Sequence, residues 1–90
     1  KLFEYLAAGR AVITTRRPAS EEILTDGVDA VLVDYSHAAM RDAIRALVVD
    51  PERRRSLGEH GRRTAARHTF AERARRTLDF LRRHATNATL

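Results

Sequence analysis

The ninety residues suit one small domain, and their composition, 43% hydrophobic and 32% charged, is that of an ordinary globular protein rather than a disordered or fibrous one. The sequence contains no cysteine, which excludes disulfides and thiolate metal sites and fits a reducing compartment. It contains no apolar run of about 20 residues and no signal-peptide pattern. We therefore expect a cytoplasmic protein.

Charge is distributed unevenly along the chain, whose net charge is +5. Residues 1–50 carry six basic and eight acidic side chains, a net −2, whereas residues 51–90 carry eleven arginines and four acids, a net +7. Such asymmetry is typical of a surface for nucleic acid or anionic lipid. It is equally typical of the solvated faces of amphipathic helices, the interpretation that we favour.

The first predicted elements are a helix and a strand. Residues 2–8 are helix formers, and Gly9 follows them as the residue that most easily adopts the left-handed conformation just past a helix end. The β-branched, apolar run over residues 11–14 has no polar alternation, which predicts a strand covered on both faces.

A second helix and a second strand complete a βαβ unit. Pro18 begins a short helix that runs to residue 24, and Asp26-Gly27 supplies the turn after it. Residues 30–34 form another short apolar run of the buried type. Two such strands separated by a helix predict parallel pairing.

Three helices are predicted after the second strand. The first has an apolar face with helical spacing: Met40, Ala43, Ile44, Leu47 and Val48. Asp50-Pro51 then provides a cap and a first-turn proline for a helix through residue 67. Gly58 and Gly61 weaken that helix, or they permit close packing of a neighbouring element.

The last predicted helix begins after Thr69, which forms a capping-box pattern with Glu72. Its apolar stripe consists of Phe70, Ala74, Thr77, Leu78 and Leu81. Phe80 lies outside this stripe. Residues 85–90 have no periodicity and are predicted to be a disordered tail.

Residues suited to chemistry are few. The four histidines show no metal-ligand spacing, and no glycine-rich phosphate loop follows a strand, so we assign no catalytic residue and no metal site. Glu4 is the exception, because its neighbours along the chain, Leu2, Phe3, Tyr5 and Leu6, are all apolar. A carboxylate buried among them would cost several kcal/mol without hydrogen-bond partners; the alternative is that the helix turns Glu4 to solvent.

The order of these elements resembles the C-terminal end of a glycosyltransferase with the GT-B fold, in the retaining, nucleotide-sugar-dependent family four (glycosyl transferases group 1). The resemblance extends from Lys1 to about Arg83, and three segments carry it: KLFEYLAAGRAVITT, EEILTDGVDAVLVD and LVVDPERRRSLGEHGRRTAARHTF. It implies an α/β fold, a partial Rossmann-like domain with two parallel strands and about five helices. Residues 1–84 would form the C-terminal part of the nucleotide-sugar-binding domain.

The resemblance also implies roles for residues at the start of the chain. In the family, the second of two glutamates separated by seven residues binds the ribose hydroxyls of the donor nucleotide, and Glu4 matches that glutamate. Backbone N–H groups around Lys1 and Leu2, together with the charge of Lys1, are expected to meet the diphosphate. The first glutamate and the catalytic arginine, lysine and histidine of the family would all precede Lys1.

The resemblance implies that the chain is a fragment of an enzyme of the hexosyltransferase type. The enzyme would move a sugar from a nucleotide diphosphate sugar to an acceptor, with retention of the configuration at the transferred sugar, and would need no cofactor. The expected partners are the donor, the missing N-terminal part of the enzyme and, for the isolated fragment, further copies of itself. Basic helices would add peripheral contact with the inner face of a membrane. The alternative is a small, basic, non-enzymatic domain that binds nucleic acid or an anionic membrane.

Overall fold

The computed structural model describes residues 1–85, which form five helices and one two-stranded parallel sheet. In chain order the elements are α1 (Leu2–Ala7), β1 (Ile13–Thr15), α2 (Pro18–Ile23), β2 (Val31–Val33), α3 (His37–Val48), α4 (Pro51–Arg67) and α5 (Phe70–Ala85). The predicted fold class, α/β with two parallel strands and about five helices, is confirmed.

The βαβ unit β1–α2–β2 has the predicted parallel pairing, with Ile13 opposite Val31 and Thr15 opposite Val33. The turn before the unit and the turn between α2 and β2 use glycine as expected: Gly9 has φ +73° and Gly27 has φ +80°. The strands have only three residues each, and all three residues of β1 are half-buried. The prediction that the run over residues 11–14 is a strand covered on both faces is therefore wrong: the strand lies at residues 13–15, and of the predicted run only Val12 is buried.

The helix starts follow the predicted capping chemistry. The Asp50 carboxylate accepts a hydrogen bond from the Arg53 N–H at 3.0 Å, and the Thr69 hydroxyl accepts one from the Glu72 N–H at 3.2 Å. Ser36 caps α3 in the same way, accepting from the Ala39 N–H at 2.9 Å. Each cap satisfies an N–H group that has no partner within the first turn of its helix.

The core lies between α1, the strands and α4, and its buried members are Leu6, Val12, Leu24, Ala30, Leu32 and Ala65. Helix α4 crosses α1 at its two glycines. Gly58 lies against the backbone of Gly9, and a Cβ atom at Gly61 would lie 2.9 Å from the side chain of Leu6. The glycines therefore permit close packing, the second of the two predicted alternatives.

A buried polar contact ties the loop before β2 to α4. The Asp29 carboxylate accepts hydrogen bonds from the Thr64 hydroxyl and from the Thr25 N–H, both at 2.7 Å. Asp29 is 5% exposed and Thr64 is 1% exposed. A buried carboxylate without such donors would be strongly destabilising, so this contact fixes how the loop sits on α4.

Two predicted apolar faces are less covered than the sequence suggests. On α3 only Leu47 is buried, while Ile44 and Val48 are 47% and 66% exposed. On α5 no residue is buried. Helical periodicity predicts which side chains share a face, but it does not say what that face packs against.

The end of α5 differs from the prediction, whereas the position of Phe80 agrees with it. Helix α5 includes Ala85, so the predicted tail begins at least one residue too early, and residues 86–90 lie outside the described part of the chain. Phe80 lies off the apolar stripe as predicted, and its ring centroid is 4.1 Å from that of His84, one helical turn away.

Candidate functional site

Helix α1 carries the residues that the sequence singled out. Leu6 faces the core and is fully buried, whereas Glu4 is exposed. Among residues 1–85 the Glu4 carboxylate has no hydrogen bond or ion pair. The helix thus turns Glu4 out from its apolar sequence neighbours, so the carboxylate avoids a burial cost and both its oxygens are open to a ligand.

Glu4 lines a surface pocket of about 400 Å³ between α1 and the junction of α4 with α5. The other lining residues are Phe3, Ala7, Ala65, His68, Thr69, Phe70 and Arg73. The rings of Phe3 and His68 are 6.0 Å apart, centroid to centroid. The pocket therefore combines a carboxylate acceptor, aromatic surface and one arginine.

Sequence reasoning did not connect Glu4 with His68, Phe70 or Arg73. These residues are more than sixty positions away along the chain, and no motif links them to α1. They meet Glu4 only because α4 crosses α1 and ends beside it.

A second pocket, of about 280 Å³, lies at the carboxyl end of β1. It is lined by Leu2, Thr14, Thr15, Arg17, Ala19, Ser20 and Ile23. Leu2 and Glu4 therefore face different pockets on two sides of α1. Lys1 is exposed at the N-cap of α1 and makes no side-chain cap hydrogen bond.

Arg16 organises the carboxyl edge of the sheet. Its guanidinium donates to the Leu32 carbonyl at 3.0 Å and lies 3.4 Å from the Asp26 carboxylate. Its Nε atom is 3.7 Å from the Asp34 carboxylate. Because two acids and a carbonyl surround it, Arg16 holds the loops after β1 and β2 together, and Arg17 is the basic side chain that faces the pocket beside Leu2.

Residues 1–85 offer neither a metal-binding cluster nor a membrane-spanning helix. No group of histidine, aspartate and glutamate side chains is placed to hold a metal ion. No helix in this part of the chain has the length and apolar character needed to cross a membrane.

The fold defines the class of protein first. A parallel βαβ unit with helices packed on it is the architecture of Rossmann-like α/β domains, which bind ligands at the carboxyl ends of their strands. The comparison with protein families is more specific: the model of the glycosyl transferase-like family matches residues 1–79, and the chain belongs to this family. No curated protein and no solved structure matches the chain. The family supports a role in glycosyl transfer and confirms that part of the predicted resemblance.

Proposed function

We propose that the chain forms part of the donor-binding domain of a retaining glycosyltransferase with the GT-B fold that uses a nucleotide diphosphate sugar. The proposal is carried by the family match over residues 1–79 together with Glu4, which is exposed on α1 and has no ion pair within residues 1–85. In this proposal the acceptor-binding site and the catalytic residues are supplied by parts of the enzyme outside these ninety residues.

Glu4 is the proposed ligand of the donor ribose. A ribose diol presents two hydroxyl donors, and one carboxylate can accept both. Among residues 1–85 no cation pairs with Glu4, so binding a diol would not require an existing ion pair to break. The adjacent rings of Phe3 and His68 offer apolar surface for the rest of a nucleoside.

Lys1 and Leu2 are proposed for the diphosphate end of the donor. Leu2 lies beside the carboxyl end of β1 in the pocket that also contains Arg17. The first N–H groups of a helix have no partners within the helix, and α1 has no side chain that caps them. Lys1 and Arg17 would add positive charge near the N-terminal end of α1, where these N–H groups lie.

The alternative, a basic nucleic-acid-binding module, has less support from the arginines themselves. Arg54 donates to the carbonyls of Leu47 and Val48 at the end of α3. Other arginines pair along their own helices, Arg55 with Glu52 and both Arg75 and Arg76 with Glu72. Several basic side chains thus have structural partners rather than forming one open patch.

Nuclear magnetic resonance titration of the nitrogen-labelled, 90-residue chain with uridine, guanosine and adenosine diphosphates tests the proposal. We expect at least one nucleotide to shift the amide signals of Leu2 to Tyr5, and Glu4→Ala to weaken that response. Glu22→Ala, which removes an exposed glutamate from α2, is the matched control. Shifts confined to arginines of α4 and α5, lost steeply as salt is raised, would instead support the nucleic-acid module.

A further inference from the structure

A third pocket, of about 290 Å³, lies at the carboxyl ends of both strands, and we call it the Tyr35 pocket. Thr15 ends β1, Asp34 directly follows β2, and the rest of the lining is Tyr35, Ser36, His37 and Met40. Rossmann-like sheets take their ligands at this edge. Small-molecule sites usually enclose about 300–1,000 Å³, so this pocket suits a single ring rather than a whole nucleotide.

The Tyr35 pocket adjoins the pocket proposed for the diphosphate, because Thr15 lines both. In the donor the sugar and the ribose are attached to opposite ends of the diphosphate. Glu4 is the proposed ligand of the ribose, and Leu2 and Arg17 lie at the proposed diphosphate site. The sugar would therefore extend past Leu2 and Arg17, along the carboxyl edge of the sheet toward Tyr35.

The apolar part of the Tyr35 pocket fits one face of a sugar ring. A pyranose has C–H groups on its faces and hydroxyls around its rim. The Tyr35 side chain is 88% exposed, so packing within residues 1–85 leaves its flat aromatic surface open to such a face. Met40 is half-buried in the lining and adds an adaptable apolar surface.

Two polar side chains of the pocket are available to the hydroxyls of a sugar. One carboxylate oxygen of Asp34 lies 3.7 Å from Nε of Arg16, and the second oxygen makes no hydrogen bond or ion pair among residues 1–85. The His37 ring also has no partner in this part of the chain, and a neutral imidazole can donate one hydrogen bond and accept another. No lysine or arginine lines the pocket, which favours a neutral ligand over a phosphate.

We propose that the Tyr35 pocket binds the hexose of the sugar nucleotide, with the sugar ring against Tyr35 and its hydroxyls on Asp34 and His37. These three residues then determine which sugar the enzyme accepts, and they do not touch the nucleoside. This inference rests on the proposed function, because it needs the diphosphate beside Leu2 and Arg17.

Matched nuclear magnetic resonance titrations of the 90-residue chain test the proposal. The pairs are uridine diphosphate with its glucose ester, guanosine diphosphate with its mannose ester, and adenosine diphosphate with its glucose ester. In a pair that binds, both members should shift the amide signals of Leu2 to Tyr5. Only the sugar nucleotide should also shift those of Thr15 and of Asp34 to His37.

Substitutions separate sugar contact from nucleotide contact. Tyr35→Ala should weaken binding of the sugar nucleotide about fivefold and leave that of the nucleoside diphosphate unchanged, because the aromatic surface meets only the sugar. His37→Ala should have the same selective effect through a lost hydrogen bond. Phe80→Ala is the matched control, since it removes an exposed ring that does not line this pocket. Circular dichroism checks that each variant keeps its helix content.

The failures of this inference and of the proposed function give different results. Equal shifts at Leu2 to Tyr5 within a pair, with none at Asp34 to His37, would overturn the inference and leave nucleotide binding intact; the pocket would then be a contact for the rest of the enzyme. Equal shifts at Asp34 to His37 from methyl glucoside or methyl mannoside alone would also overturn it, in favour of an acceptor sugar. Silence at Leu2 to Tyr5 with every nucleotide would count against the proposed function itself, and the inference would fall with it.

Discussion

Gly58 of α4 lies directly against the carbonyl group of Gly9, so closely that a Cβ atom at Gly58 would be 2.2 Å from the Gly9 oxygen. The contact joins the turn after α1 to the middle of α4, the two elements that enclose the core. Backbone atoms cannot move aside as the end of a side chain can. The packing of α4 on α1 therefore depends on the missing side chain at position 58.

Gly58→Ala should destabilise the fold, although alanine is the better helix former by about 1 kcal/mol. Overpacking against a backbone oxygen outweighs that gain, and we expect a net loss of about 2 kcal/mol. Urea unfolding followed by circular dichroism measures it. Gly61→Ala is the comparison, with a smaller loss, because its added Cβ would lie 2.9 Å from the end of the Leu6 side chain and 3.2 Å from the Asp29 carbonyl oxygen, whereas a Cβ at Gly58 would lie 2.2 Å from the Gly9 oxygen. Wild-type stability in Gly58→Ala would show that α4 does not approach α1 in this way.

Thr64→Val should cost about 1–3 kcal/mol of unfolding free energy. The substitution keeps the shape of the side chain but removes the hydroxyl that donates to the buried Asp29 carboxylate. Thr77→Val is the control, since the Thr77 hydroxyl donates only to the Arg73 carbonyl on an exposed helix. Its effect should stay within about 0.5 kcal/mol. Equal effects from the two substitutions would mean that the contact between Asp29 and Thr64 contributes nothing to stability.

Glu4→Ala should weaken donor binding by about 10- to 150-fold in the full transferase, because a charge-assisted contact is worth about 1.5–3 kcal/mol. Glu4→Gln should be milder, since the amide oxygen can still accept one hydroxyl. Calorimetry with the nucleotide diphosphate sugar measures both, with Glu22→Ala as the control. Unchanged affinity in both Glu4 variants would leave Glu4 as an ordinary surface charge.

The 90-residue chain alone should transfer no sugar, because in the proposed function its catalytic residues and acceptor site lie elsewhere in the enzyme. Incubation with radiolabelled nucleotide sugars and product chromatography test this. Turnover by the purified chain, retained after a second purification step, would refute the proposed division of roles.

The isolated chain should self-associate or melt broadly. In residues 1–85 each strand of the sheet pairs only with the other, which leaves strand edges unpaired, and Val48 and Val49 are 66% and 80% exposed. Sedimentation velocity over a range of concentrations and thermal melts measure this. A sharp, concentration-independent melt of a monomer would contradict the expectation.

The sequence alone determined the features that depend on neighbouring residues. The cap of α4 joins Asp50 to Arg53 three residues on, and Gly9 and Gly27 adopt the positive φ that their turns require. The parallel βαβ unit also followed from the sequence, since two apolar runs flanked a helix pattern. The caps and glycine turns need few long-range contacts, because local hydrogen bonds and steric limits decide them.

Only the tertiary structure decided what packs against what. Asp29 and Thr64 are 35 residues apart, and the pocket around Glu4 exists because α4 crosses α1 and brings His68 and Arg73 beside it. Periodicity placed Leu47 and Val48 on one face of α3, yet only Leu47 is buried. Hydrophobic spacing identifies a face, whereas burial depends on which distant element folds back onto it. Which element covers a face depends on close approaches such as the one between Gly58 and Gly9, and no local sequence pattern specifies such an approach.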